Sequence, residues 1–193
     1  MDGSLAYQDD FEEKRRLELI GGKVVMMAPA SSDHNSIAGN INGIFWSYLR
    51  GKKCVPYGDN EKVFLSETDH FVPDFMVVCN PGKIKPDGVH GAPDLVVEVL
   101  SPSTAKYDRT RKKDAYAKAG VREYWIVSPG DKSVEVYRTN GTEFDLHDIY
   151  VLHPDWQVAQ MSAEEYAALV ISFKCSLFDD LDISLEDIFY RTF

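Results

Sequence analysis

Two acids set into nearly unbroken apolar runs constrain this chain more than any other feature. Asp74 opens the run Phe75-Met76-Val77-Val78, and Glu98 interrupts Leu95-Val96-Val97-Glu98-Val99-Leu100. Runs of this kind, rich in β-branched residues, predict strands covered on both faces, spanning 71–79 and 94–100. A carboxylate carried into such surroundings is costly to bury unless a hydrogen-bond network, a basic side chain or a cation meets it.

The rest of the chain supplies the frame for those strands. Residues 17–28 predict a hairpin turning at Gly21-Gly22. Ser31-Ser32-Asp33 offers helix caps, Ile37, Ile41, Ile44, Phe45 and Tyr48 follow at helical spacing, and Gly51 ends the helix. Shorter strands are expected at 54–57 and 62–66, and residues 80–92 read as a turn-rich loop. Ser101-Pro102-Ser103-Thr104 starts a second helix that runs to Ala119 and stops at Gly120. A third core strand, 124–127, turns at Pro129-Gly130-Asp131 into a strand over 133–138. Asn140-Gly141 turns that one into another. Residues 177–193 read as a loop and a short helix. The order predicts one α/β (α+β) domain over residues 1–193, a mixed central sheet flanked by helices with added hairpins.

Composition narrows the function classes. At 193 residues with 44% hydrophobic content the chain can bury a sizeable core. No apolar run is long enough to span a bilayer, so no membrane partner is expected. Cys54, Cys79 and Cys175 are odd in number and widely spaced, which predicts neither a zinc site nor a disulfide framework. A reducing, cytoplasmic setting is the corresponding expectation. The net charge of −10 argues against loose binding of polyanions over the whole surface. Yet residues 106–118 hold six basic residues against two acidic, while 141–193 hold eleven acidic against two basic. The basic stretch reads either as a solvated helix face or as a focused phosphate site.

Spacing limits which acids can act together. Asp94 and Glu98 share a strand face but lie about 13 Å apart at ~3.3 Å per residue. Ligand bonds of ~2.0–2.6 Å therefore rule them out as joint ligands of one ion. Asp74, on a neighbouring strand, is the better partner for Glu98. Asp74 as a strand-end cap and Glu98 in a pair with Arg or Lys is the alternative. Asp94 is read first as a strand-start acceptor for a backbone N–H and second as an accessory acid. Asp108, Lys112 and Tyr116 form one helix stripe. That stripe is either a surface ion pair with a packed tyrosine, or a means of bringing Lys112 to Glu98. His34 opens the first helix as a capping or solvent residue, with a cleft-lining role as the other option. Trp46, Trp125 and Trp156 could stack bases, with Trp125 better read as core.

These residues carry a resemblance. Phe71-Val72-Pro73-Asp74, then the stretch from Pro93 to Thr104 around Glu98, then Asp108, Lys112 and Tyr116, then Gly120-Val-Arg-Glu-Tyr-Trp125 resemble the Uma-type family of restriction endonucleases. That family lies within the PD-(D/E)XK nuclease superfamily. The resemblance spans nearly the whole chain. It implies a restriction-endonuclease-like fold and a metal-dependent endonuclease acting on nucleic acid, with DNA the expected substrate. Asp74 and Glu98 would be the motif acids, and the Val99 carbonyl a third oxygen ligand for Mg²⁺ or Mn²⁺. One departure stands out: the lysine place two residues after Glu98 holds Leu100, which cannot polarise water. Lys112 is the replacement that fits, with Lys113 second. Lys106, Arg109, Arg111 and Lys113 would meet nucleic-acid phosphates, and a homodimer is expected by analogy. Leu100 and the net acidity also allow a different class, a non-catalytic nucleic-acid- or protein-binding module on the same fold.

Overall fold

The computed structural model describes residues 17–193. Its strands are β1 (Leu17–Ile20), β2 (Lys23–Met26), β3 (Val55–Gly58), β4 (Val63–Phe64), β5 (His70–Phe71), β6 (Phe75–Val78), β7 (Ile84–Lys85), β8 (Gly88–His90), β9 (Leu95–Val99), β10 (Glu123–Ser128), β11 (Ser133–Thr139), β12 (Phe144–Val151), β13 (Ser172–Lys174) and β14 (Asp182–Ser184). The helices are α1 (Ser32–Leu49), α2 (Ala105–Tyr107), α3 (Lys113–Ala119), α4 (Asp155–Val158), α5 (Ala163–Ala167) and α6 (Leu185–Ile188). A π-helical turn, Asp108–Lys112, joins α2 to α3.

The central sheet runs β12-β11-β10-β9-β6-β3. Its β9/β10 pair is parallel, because the helical segment 105–119 carries the chain back between them. Alternation along the strands feeds two cores. Phe75, Val77, Leu95, Val97, Trp125 and Val127 pack against Ile37, Ile41 and Phe45 of α1. Met76, Val78, Val96, Tyr124 and Ile126 pack on the opposite face with Tyr116 and Ala117 of α3. Burial on both faces accounts for the nearly unbroken apolar runs. The fold is mixed α and β with helices on the sheet, as the sequence predicts.

A second sheet, β2-β1-β5-β4-β8-β7, borders the first, and β13 pairs with β14 near the C-terminus. Here the structure corrects three expectations. The single strand expected over 71–79 is two strands in different sheets, β5 and β6. Pro73 cannot donate to a ladder, so the chain changes sheets there. The stretch 80–92 is no plain loop but carries the β7–β8 hairpin. Gly88 in that hairpin has φ +140°, and an added Cβ would lie 2.6 Å from the Lys62 carbonyl oxygen. Gly88→Ala is expected to lower the urea unfolding free energy by more than ~1 kcal/mol.

The third correction concerns the cysteines. Cys54 and Cys79 form a disulfide, and Cys175 is free and buried. Register explains it: Val55 faces Val78 on antiparallel strands, so the residues just outside them face each other. Linear spacing cannot reveal a bridge that strand pairing creates. The loss of a disulfide-free chain also removes that argument for a reducing compartment. The closed loop spans 25 residues, which corresponds to about 3.5 kcal/mol in the chain-entropy account. Reduction by dithiothreitol should therefore lower the denaturation midpoint, and Cys54→Ser should abolish that response. Among the described residues no helix is long and apolar enough to cross a membrane.

Candidate functional site

Asp74 and Glu98 stand at one end of the central sheet. Phe75 faces Val97 across the antiparallel β6/β9 pair, so Asp74, just before β6, and Glu98, one step beyond Val97, lie at the same end of that pair. Asp74 replaces the ladder at this point, with its Oδ2 accepting from the Val99 N–H at 2.7 Å. Both carboxylates are buried.

The helical stripe closes over Glu98. Lys112 Nζ lies 2.7 Å from Glu98 Oε1, 3.1 Å from Glu18 Oε1 and 3.3 Å from Asp108 Oδ1. Tyr116 donates its hydroxyl to Glu98 Oε1 at 3.0 Å. Tyr124 donates to the Asp108 carbonyl, which anchors the π turn. The stripe is therefore interior, not a surface ion pair. The π turn contributes to this. An α-helix advances ~100° per residue, so positions i and i+8 drift about 80° apart. One wider turn offsets that drift and keeps Asp108, Lys112 and Tyr116 on the buried side. Such turns recur at functional sites.

Three buried carboxylates, Glu18, Glu98 and Asp108, thus gather around the buried Lys112 ammonium, and a fourth, Asp74, is met by His34. The imbalance sets the protonation behaviour. Burial pushes Glu98 well above the usual carboxylate range; Lys112 opposes this, while Asp108, Asp74 and Glu18 reinforce it. Burial by itself would lower Lys112, but Glu98, Glu18 and Asp108 outweigh it and hold the ammonium well above the ordinary lysine value. Asp108 is also raised, chiefly by burial.

His34 also departs from the sequence reading. It is buried at the start of α1, not solvent-facing, with Nε2 3.2 Å from Asp74 Oδ2. Burial would lower its pKa, but the hydrogen bond and charge of Asp74, the charge of Asp59 and the Val99 carbonyl raise it. Its Nδ1 is buried without a hydrogen-bond partner among the described residues. Helix α1 lies on one face of the sheet and α3 on the other, so His34 and Lys112 approach the acidic end from opposite layers.

Glu18 is the site residue missed in the sequence. Its Oε1 accepts from the Val72 N–H at 2.9 Å and meets Lys112. Period-two alternation puts Glu18 on the face of Ile20, which is buried, so the signal was present but weaker than the Leu17/Leu19 face.

The other expected residues fall outside this cluster. Asp94 Oδ2 accepts from the Cys79 N–H at 2.7 Å, the strand-start role read first. Lys113 Nζ sits 3.8 Å from the Tyr137 ring centroid instead of at Glu98. Arg109 is paired with Glu135. Arg111 reaches toward Gly21 at the β1–β2 turn, and Lys106 is exposed. Leu100 is half-buried against the second core. Trp125 is core, and Trp46 and Trp156 are exposed.

Among the described residues no three His, Cys, Asp or Glu side chains are gathered to hold an ion by themselves. The expected donor set asks for only two carboxylates and a backbone carbonyl. Among the described residues, the contacts above use Asp74 Oδ2 and Glu98 Oε1. The donors are hard oxygens with surplus negative charge, which suits Mg²⁺ or Mn²⁺.

Comparisons with known proteins bear on the family and the fold. The family model described as "Uma2: Putative restriction endonuclease" matches residues 4–168. An uncharacterized Synechocystis protein, slr1290, is 32% identical over 134 residues, covering 67% of this chain and 70% of its own. A second from the same organism, sll1609, is 25% identical over 138 residues, covering 69% and 78%. The crystal structure of a putative nuclease belonging to DUF820 from Anabaena variabilis covers 94% of this chain and 96% of its own. It superposes with a TM-score of 0.68 at 20% identity, a likeness of fold.

Proposed function

This chain belongs to the Uma2 family, and on that premise we propose that it is a metal-dependent endonuclease hydrolysing phosphodiester bonds in nucleic acid, DNA first. One observation carries the reading: three buried carboxylates around the buried Lys112 ammonium, with a fourth, Asp74, met by His34, at the end of the central sheet. Such an imbalance calls for a further cation.

In this reading Asp74, Glu98 and the Val99 carbonyl hold Mg²⁺ or Mn²⁺. The bound ion supplies Lewis acidity toward a phosphate oxygen. Lys112 stays protonated, so it serves as a hydrogen-bond donor that orients water or offsets transition-state charge, not as a general base. Glu18, Asp108 and Tyr116 position it and Glu98. Exposed Lys106 and Arg111 supply backbone phosphate contacts; Arg109 and Lys113, held by Glu135 and Tyr137, serve this less directly. A homodimer, offering one site to each strand, is the assembly assigned to this reading.

The non-catalytic module remains the second reading. It is favoured by Leu100 and by the seating of Lys112 against Glu98, which gives the site its own counter-charge. Metal titration separates the two. Mg²⁺ or Mn²⁺ should raise the melting temperature, by about 2.7 kcal/mol of stabilisation at a hundredfold excess over Kd, and Asp74→Asn should remove the response. An unchanged melting temperature, with no cleavage of any DNA or RNA form, would leave the module.

A further inference from the structure

One edge of the central sheet is the long strand β12, and among the described residues no strand pairs with its outer side. Its 8 residues, Phe144–Val151, include no lysine, arginine or proline, and residues 145–149 are exposed. The opposite edge, β3, has 4 residues, all half-buried. An uncovered edge as long as β12 offers backbone donors and acceptors to a further strand. We infer that β12 pairs antiparallel with β12 of a second copy of this chain, about a two-fold axis between His147 and Asp148. The pairing gives a surface to the homodimer of the reading above and rests on none of its metal chemistry.

The strand is complementary to its own reverse. About that axis Leu146 meets Ile149, an apolar pair, and His147 meets Asp148, a pair that brings a base to an acid. Asp145 meets Tyr150, and Phe144 meets Val151 at the ends. No two like charges stand directly opposite each other.

A bulge makes this register possible. Val136 of β11 lies opposite Asp148 and Tyr137 opposite Leu146, so His147 is an extra residue. In an unbroken strand positions 146 and 149 would fall on opposite faces, and no axis between two residues could match them. The extra residue shifts the alternation by one. Leu146 lies opposite Tyr137 and Ile149 opposite Glu135, and the Tyr137 hydroxyl donates to Glu135 on their shared face. Tyr150 stacks on Phe173 on the other face, which Asp145, opposite Arg138, shares by alternation. Each pair flanking the bulge therefore joins side chains of one face, as an antiparallel ladder requires. Exposure points the same way. Leu146 and Ile149 are each 50% exposed in the single chain, and self-pairing covers both of them twice.

Sedimentation velocity of the full chain, from low to several hundred micromolar, reads the association. A single strand pair is small beside a standard interface of ~1,200–2,000 Å², so half-dissociation is expected in the micromolar range. Amide exchange over 144–151 should slow as the dimer forms. Leu146→Glu should weaken association about tenfold or more, since the change enters the interface twice. Leu146→Glu/Ile149→Lys should restore it, because each glutamate then faces a lysine of the other copy. Ile149→Lys alone repeats the test from the other side of the pair. A chain that stays monomeric throughout, or a dimer indifferent to Leu146→Glu, would overturn the interface. Either result can coexist with metal-dependent cleavage that Asp74→Asn abolishes, so the nuclease reading stands or falls by that assay alone.

Discussion

Lys112→Met should destabilise the protein by about 3–5 kcal/mol, the usual consequence of stripping one partner from a buried ion cluster. The loss follows from what remains: Glu18, Glu98 and Asp108 would face one another without the ammonium they share. Any metal-dependent cleavage should fall by ~10²–10³, the effect of removing one preorganised donor. The double variant Lys112→Met/Glu98→Gln should recover part of the stability, because one of the stranded charges is then gone. Chemical denaturation of the four corners of this cycle checks both statements.

The pH dependence of the same cluster has a definite sign. Lys112 is raised above its ordinary 10.5, so its stabilisation is complete below that pH and is lost as pH climbs through the folded value. Tyr116 and Tyr124, raised by burial above 10.0, act in the same direction, since only the unfolded chain ionises them readily. Glu98 works over a lower window. Its folded pKa is raised above 4.5, so its ionisation withdraws stability as pH rises from there.

Asp74→Asn and Glu98→Gln should each reduce metal-dependent cleavage to background while leaving the fold intact. The substitutions are isosteric, and the amide oxygen introduced in place of Asp74 Oδ2 would still accept from the Val99 N–H. Glu98→Gln should leave the metal-free protein about as stable as the parent or more so, because a desolvated charge is removed. A protein that cuts nucleic acid equally well after either change does not use this site. Circular dichroism and a supercoiled-plasmid nicking assay read the two halves of the expectation.

Much of the frame was legible because it is local or periodic. The two apolar runs, the cap at Ser31 and the left-handed stop at Gly120 all report directly on backbone geometry. Asp74 and Glu98 stood out because acids in or beside doubly buried strands are conspicuous. What escaped depends on contacts between distant segments. Glu18 sits in a small hairpin, and only the second sheet turns it inward against Lys112. His34 looked like a cap because nothing in its neighbourhood tells that α1 begins over Asp74. The disulfide needed the β3/β6 register, and the basic helix face could not show that Arg109 is engaged by Glu135. The choice of Lys112 over Lys113 for the cluster is one rotation step on a helix, and the stripe with Asp108 and Tyr116 decided it.

The most direct measurement is an anomalous difference map from crystals soaked in Mn²⁺. A metal-dependent site built on these residues places a peak ~2.0–2.6 Å from oxygens of Asp74, Glu98 and the Val99 carbonyl. A map without a peak there at saturating Mn²⁺, with Lys112 still seated on Glu98, would contradict it.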